Sequence, residues 1–356
     1  MMAMDKVRLA PVGLGRWAHV LAGAAQRGDV IELVGCFGRS ADKRAAFATQ
    51  FGIPRSAATY GELLADPDVE GVVITTPNDT HKAFVVEAAA AGKAVFVEKP
   101  IAPTLEDAVD IARAVDGSGL TLAVGHSARR LSGHRVMKRW IDEGLLGKVS
   151  LAEANFSTAA GLKLTPDKWR WHAAGSPGGA LIQLGVHHAD TLQYLLGPVR
   201  AVSAHARKLY TKSEVPDAVM AVLEFELGPL GYLGTGWASP GVFSVNLLGT
   251  EANLFYDVSQ AHWAESHLID DHSSLRSQAS GGERGAVELP RTDAFREQLE
   301  EFALAIRGRA KVEVGATEAI GALAVVVAAL ESSNRAGAAV TLNEVIERAR
   351  GAVNGA

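Results

Sequence analysis

Along the first 125 residues, apolar positions gather into short runs at 7–12, 31–37, 71–75, 94–97 and 120–124. Between them lie segments with apolar residues at helical spacing, at 17–27, 41–51, 82–91 and 105–116. Short buried strands alternating with helices predict a parallel, doubly wound sheet. After residue 125 the pattern changes. A helix is predicted at 133–143, a strand at 149–157, and a second helix after Gly178-Gly179. Strand-like runs then follow at 199–209, 218–226, 231–238, 243–249 and 253–258 with no helical spacing between them, which predicts an antiparallel sheet. The segment 273–286 is rich in Ser and Gly and reads as a mobile loop. Helices at 293–306 and 317–334 and a strand at 340–342 close the chain.

The expected fold is therefore α/β in two domains, residues 1–125 and residues 126–356. A chain of 356 residues is too long for one comfortable core, which agrees. The net charge of −5 carries no footprint for nucleic acid or an anionic membrane. The single cysteine, Cys36, excludes an internal disulfide and fits a reducing, cytoplasmic compartment. Residues 1–6 run into the first strand without an apolar leader, so no secretory signal is expected. The apolar run at 319–330 is interrupted by Gly321, is short for a bilayer, and reads as a buried helix.

The chemistry starts at Gly13-Leu14-Gly15-Arg16-Trp17-Ala18, between the first strand and the first helix. Two glycines there permit a tight turn and close approach of backbone to a pyrophosphate, and the helix start offers free N–H groups. The second strand ends in Gly38-Arg39-Ser40, with no carboxylate from Leu33 to Ser40 to bind ribose hydroxyls. An arginine beside small residues suits a 2′-phosphate, which favours NADP over NAD. Thr75, Thr76, Pro77, Asn78 and His81 follow the third sheet strand, where short polar groups can reach ribose and diphosphate or start a helix with Asp79 or Thr80 as its cap. Glu98-Lys99-Pro100 ends a further strand. An ammonium at that corner, near a cationic nicotinamide, is expected to have a lowered pKa and to exchange protons.

In the second region, Gln183, His187 and Asp190 stand at i, i+4 and i+7 and are expected to share a helix face. Imidazole is the usual acid/base near neutrality. Adjacent His187 and His188 point apart on a helix, so no metal site is expected. His126, Arg129, Arg130, Trp169, Arg170 and His172 are candidates for lining a substrate pocket, alongside Lys99, Gln183 and His187.

These residues carry a resemblance over nearly the whole chain. The Gly13-Leu14-Gly15 turn, Thr76-Pro77-Asn78 with His81, Glu98-Lys99-Pro100, Gly125-His126 with Arg129-Arg130, and the Gly178-Gly179 segment through Gly185, His187 and Asp190 are similar to the Gfo/Idh/MocA family of NAD(P)-dependent oxidoreductases. The resemblance implies an N-terminal Rossmann domain and a C-terminal α/β domain with an open, mostly antiparallel sheet. It implies Lys99 and His187 as catalytic residues and a sugar, cyclitol or polyol derivative as substrate. It also raises the expectation of a homo-oligomer, a dimer or tetramer, built through that sheet. Many members carry Asp where this chain has Gln183, which removes a charge beside His187 and counts against an inositol-type polyol. Two other readings fit the same residues. One is a lyase or glycosidase that uses a retained nicotinamide for transient oxidation, and the other is a nucleotide-bound sensor without turnover.

Overall fold

The structure, a computed structural model, describes residues 5–355. Two compact units are formed. Residues through Ala102, Asp107–His126 and Asp293–Ala319 make the first; Pro103–Glu106, Ser127–Thr292 and the residues from Ile320 onward make the second.

The N-terminal elements are β1 (Val7–Val12), α1 (Arg16–Gln26), β2 (Ile31–Leu33), β3 (Cys36–Phe37), α2 (Ala41–Phe51), β4 (Ser56–Ala57), α3 (Tyr60–Ala65), β5 (Gly71–Ile74), α4 (His81–Ala90), β6 (Ala94–Val97), α5 (Leu105–Asp116) and β7 (Leu122–Val124). The strands form a wholly parallel sheet in the order β4-β3-β1-β5-β6-β7, with β2 also on β1. Every residue of β5 and β6 is buried, as expected of central parallel strands covered on both faces. The run at 31–37, read from sequence as one strand, is two. It breaks at Val34-Gly35, where a side chain on residue 35 would meet Leu63 at 2.9 Å.

The remaining elements are α6 (Ser132–Asp142), β8 (Val149–Ser157), α7 (Val186–Leu196), β9 (Val199–Arg207), β10 (Ala218–Phe225), β11 (Leu230–Gly236), β12 (Val242–Gly249), β13 (Ala252–Val258), β14 (Ser273–Ala279), β15 (Gly285–Val287), α8 (Ala294–Ile306), α9 (Ala316–Asn334), β16 (Val340–Thr341) and α10 (Leu342–Asn354). Nine strands form one sheet, β15-β14-β13-β12-β8-β11-β10-β9-β16, antiparallel except where β8 lies parallel to β11. Burial alternates along β8, β10 and β12. One face is core, with Ala154, Phe156, Leu223, Leu233 and Val245 buried. The other shows Met220, Val222, Leu230 and Val242 to solvent.

The expected mobile loop at 273–286 is a correction. Most of it is β14 and β15, hydrogen-bonded to β13 and to each other. Strands near a sheet edge tolerate polar side chains, and Ser and Gln there mask the pattern. The helix α9 has 19 residues, within one residue of the helix expected at 317–334. By length and composition alone it could cross a membrane, yet half of its most apolar stretch is buried within the protein.

Candidate active site

The cofactor turn is built by backbone. Gly13 has φ +86°, and a Cβ there would stand 2.6 Å from the Thr76 methyl group, so glycine is required. Its N–H donates to Phe37 O at 2.9 Å, and Thr75 Oγ1 donates to Gly13 O at 2.6 Å. Leu14 is buried and packs beside Gly38, where a Cβ would be 3.1 Å from it. Gly15 caps α1 without a side chain, and nothing lies within 4 Å of where its Cβ would be. The first turn of α1 holds no acidic residue. Open space, unsatisfied N–H groups and a positive helix end together fit a pyrophosphate.

Arg39 is exposed at the end of β3, and no carboxylate pairs with it among the described residues. Ser40 caps α2 by accepting from Lys43 N at 3.4 Å. Sequence reasoning missed Arg44, one turn into α2, whose guanidinium donates to Gly38 O at 2.7 Å and places a second cation at this strand end.

Thr76-Pro77-Asn78 runs into a short 3₁₀ turn, Asn78–Thr80, and then α4, which has no side-chain cap from Asp79 or Thr80. Thr80 Oγ1 instead bonds Thr76 Oγ1 and Pro77 O, both at 2.7 Å. His81 is buried and its ring nitrogens lie 3.0 Å from Pro100 O and 3.0 Å from Thr76 O. It therefore ties the turn after β5 to the corner after β6. Burial lowers its pKa.

At that corner Lys99 is half-buried and the Lys99–Pro100 peptide is cis. Glu98 is buried with both oxygens engaged. Oε1 accepts from Trp17 Nε1 at 2.6 Å, and Oε2 accepts from Lys99 N at 3.1 Å. A side chain at Gly125 would clash with this carboxylate at 2.8 Å. Burial pushes the Glu98 pKa up to about 7 against the opposing charge of Lys99 and the indole N–H. The Trp17 ring also packs edge-on to Phe295, at 5.2 Å. Glu98 thus connects the first turn of α1 to the catalytic candidate Lys99. Nothing in the sequence joins residues 17 and 98.

In the second unit Gly178 and Gly179 have φ +81° and +54°, and a Cβ at 179 would meet Pro216 O at 2.3 Å. They lead into a π-helical turn, Leu181–Gly185, and then α7. Such turns widen the helix and re-aim side chains. Gln183 and Asp190, expected to share a face with His187, have different partners. Gln183 Oε1 accepts from Arg170 Nε at 3.2 Å, and its Nε2 donates to Ser176 Oγ at 3.1 Å. Asp190 instead takes both arms of Arg129, at 2.9 and 2.5 Å. Arg129 lies 5.2 Å from the centre of the Tyr194 ring.

His187 is buried, its ring 5.5 Å from Phe156 and 5.6 Å from Trp263. Neither aromatic was singled out in the sequence. His188 is wholly buried beside Phe243, and burial drives its pKa down to about 3. It is a neutral core ring. His172 bonds Glu214 Oε1 at 3.1 Å and Pro166 O at 2.8 Å, which raises its pKa. Arg130 and His126 are buried. Trp169 stacks under Arg170, with the guanidinium carbon 4.2 Å from the ring centre.

Comparison with known proteins shows the family. Residues 7–126 match the model of the oxidoreductase family with an NAD-binding Rossmann fold, and residues 134–255 match the GFO/IDH/MocA C-terminal domain. The chain is 33% identical over 255 residues to 1,5-anhydro-D-fructose reductase of Ensifer adhaerens, covering 68% of this chain and 75% of that one. It is 30% identical over 259 residues to scyllo-inositol 2-dehydrogenase (NAD(+)) of Bacillus subtilis, covering 70% and 73%. A crystal structure from Desulfitobacterium hafniense, provisionally described as an NADPH-dependent oxidoreductase, superposes with TM-score 0.93 at 41% identity, covering 96% of this chain and 99% of that one. The chain belongs to the Gfo/Idh/MocA family of oxidoreductases, with an N-terminal dinucleotide-binding Rossmann unit.

Proposed function

We propose that this enzyme moves a hydride between a nicotinamide cofactor, NADP in preference to NAD, and a carbon bearing a hydroxyl or carbonyl in a sugar, cyclitol or related polyol derivative. The first compact unit is assigned to the dinucleotide and the second to substrate and self-association. The observation that carries this reading is the Lys99 corner, set by the buried Glu98 that Trp17 ties to the cofactor turn. The names of the relatives, a reductase of an anhydro sugar and a dehydrogenase of an inositol, support the substrate class.

Bound nicotinamide supplies the hydride acceptor or donor. Gly13, Leu14, Gly15 and the start of α1 hold the pyrophosphate through backbone N–H groups. Arg16, Trp17, Gly38, Arg39, Ser40, Thr75, Thr76, Pro77, Asn78 and His81 form or support the rest of the cofactor surface. Lys99 gives a proton to the reacting oxygen in reduction, and Lys99 or His187 takes it in oxidation. Gln183 holds its neighbours without adding charge. The experiment is a screen of sugars, cyclitols and sugar acids with NAD and NADP, read as change in reduced cofactor. No turnover with any of them would overturn the reading.

Cofactor choice has its own test. Arg39 and Arg44 bring two guanidinium groups to the end of β3 with no acid paired to Arg39. Arg39→Ala is expected to weaken NADP by about tenfold or more and NAD little, since a charge-assisted contact is lost. Fluorescence titration of both cofactors checks this. Equal losses, or a wild-type preference for NAD, contradict it.

The solvent face of the nine-stranded sheet is proposed as the self-association surface, because Met220, Val222, Leu230 and Val242 are exposed on it. Light scattering at micromolar concentration is expected to give a multiple of the chain mass. A single-chain mass would refute this.

A further inference from the structure

Arg170 sits in one 3₁₀ turn, Trp169–Trp171, in the second unit. Its guanidinium lies over the Trp169 ring, and its Nε donates to Gln183 Oε1 at 3.2 Å. That acceptor is a neutral amide. The carboxylates nearby are engaged elsewhere. Asp167 bonds Lys168 and Thr165. Glu214 accepts from Ala173 N and holds His172. Among the described residues no Asp or Glu forms an ion pair with Arg170. Arg170 is exposed, and the packing around its head lowers its pKa.

A guanidinium carries five N–H donors, and an indole face and one amide oxygen leave most of them open to an anion. Stacking on Trp169 and the Gln183 bond fix the plane of the fork, so its remaining N–H donors are held ready for a planar or tetrahedral oxyanion. Gln183 lies four residues before the catalytic candidate His187, across the π turn. A carboxylate at position 183 would satisfy Arg170 internally. The amide leaves that role to a ligand.

We propose that Arg170, aligned by Gln183, selects an anionic substrate: a sugar or polyol derivative that carries a carboxylate or phosphate. This rests on the oxidoreductase reading above and names its substrate class. Lys163, Lys168 and His172 lie in the same segment and add to the positive field, although Lys168 and His172 are already paired.

The test uses three compounds with one carbon skeleton: D-glucitol, D-gluconate and D-glucitol 6-phosphate. Binding is measured by calorimetry on the full chain with saturating cofactor, and turnover separately as reduced cofactor. At least one anion is expected to bind about tenfold or more tightly than glucitol. The better anion shows whether carboxylate or phosphate is taken. Arg170→Met should collapse the ratio. Gln183→Glu should collapse it too, because it supplies Arg170 with an internal counterion while keeping the side-chain length. Arg170→Lys should retain part of it. Glucitol binding as well as either anion, no binding of either anion, or a ratio untouched by Arg170→Met and Gln183→Glu would overturn the proposal. Turnover of a neutral polyol without any anion preference would leave the oxidoreductase reading standing alone. An anion preference lost in both variants, with no cofactor reduced by any sugar, would do the reverse.

Discussion

Replacing Lys99 by alanine is expected to lower kcat by about 10²- to 10⁴-fold, the usual worth of a positioned proton donor, while cofactor affinity changes little. Lys99→Arg should fall nearly as far. A guanidinium keeps the charge beside Glu98 but does not give up a proton near neutral pH. The pair of variants therefore separates proton transfer from simple charge. Steady-state kinetics with cofactor titrations make the measurement. Retention of more than about a tenth of the rate in either variant would exclude an essential proton-transfer role. The alanine variant has a second consequence. The Lys99 charge is the largest influence opposing the upward push of burial on Glu98, so its loss should carry that carboxyl further toward the protonated form.

The largest expected loss of stability lies at Arg129. The Asp190 side chain is fully buried and its two oxygens are taken by this one guanidinium. Arg129→Met leaves a buried carboxylate without its counterion, and the expected cost is about 3–5 kcal/mol. The double variant Arg129→Met with Asp190→Leu should recover much of that, because an apolar pair replaces the ion pair instead of half of it. Urea denaturation of the three proteins checks both statements. A cost for the single variant below about 1 kcal/mol would mean that water or another group solvates Asp190, and that the pair is not structural.

How far these features could be read in advance depends on whether they are local. The β1 strand, the Gly13 turn and α1 are contiguous, and the need for glycine follows from backbone geometry alone, so that part was legible. The same holds for β6 running into Glu98-Lys99-Pro100. Gln183 was legible as an unusual residue but not in what it touches. Its bond to Arg170, and that of Asp190 to Arg129, join residues far apart in the sequence, and the helix is entered through a π turn, Leu181–Gly185. Hydrophobic periodicity cannot show a one-residue widening of a helix. The strand β14 was hidden because near the end of a sheet its side chains can be polar and still pair by backbone. Helix α8 has a clear apolar face, but its spacing does not say which sheet it covers. In the structure it returns to the first unit, where Phe302 meets Phe96 and Phe295 meets Trp17. Arg27 then bonds Asp293 at the start of that helix.

The bond between Trp17 and Glu98 has a practical meaning. An indole whose N–H faces a buried carboxyl feels directly whether that carboxyl is charged, and this one changes charge near neutral pH. The indole also stands at the start of α1, where the pyrophosphate is expected to sit. The enzyme therefore carries its own optical probe at the cofactor turn. The emission of one tryptophan among six can report both the ionisation of Glu98 and the arrival of a dinucleotide, with no label attached.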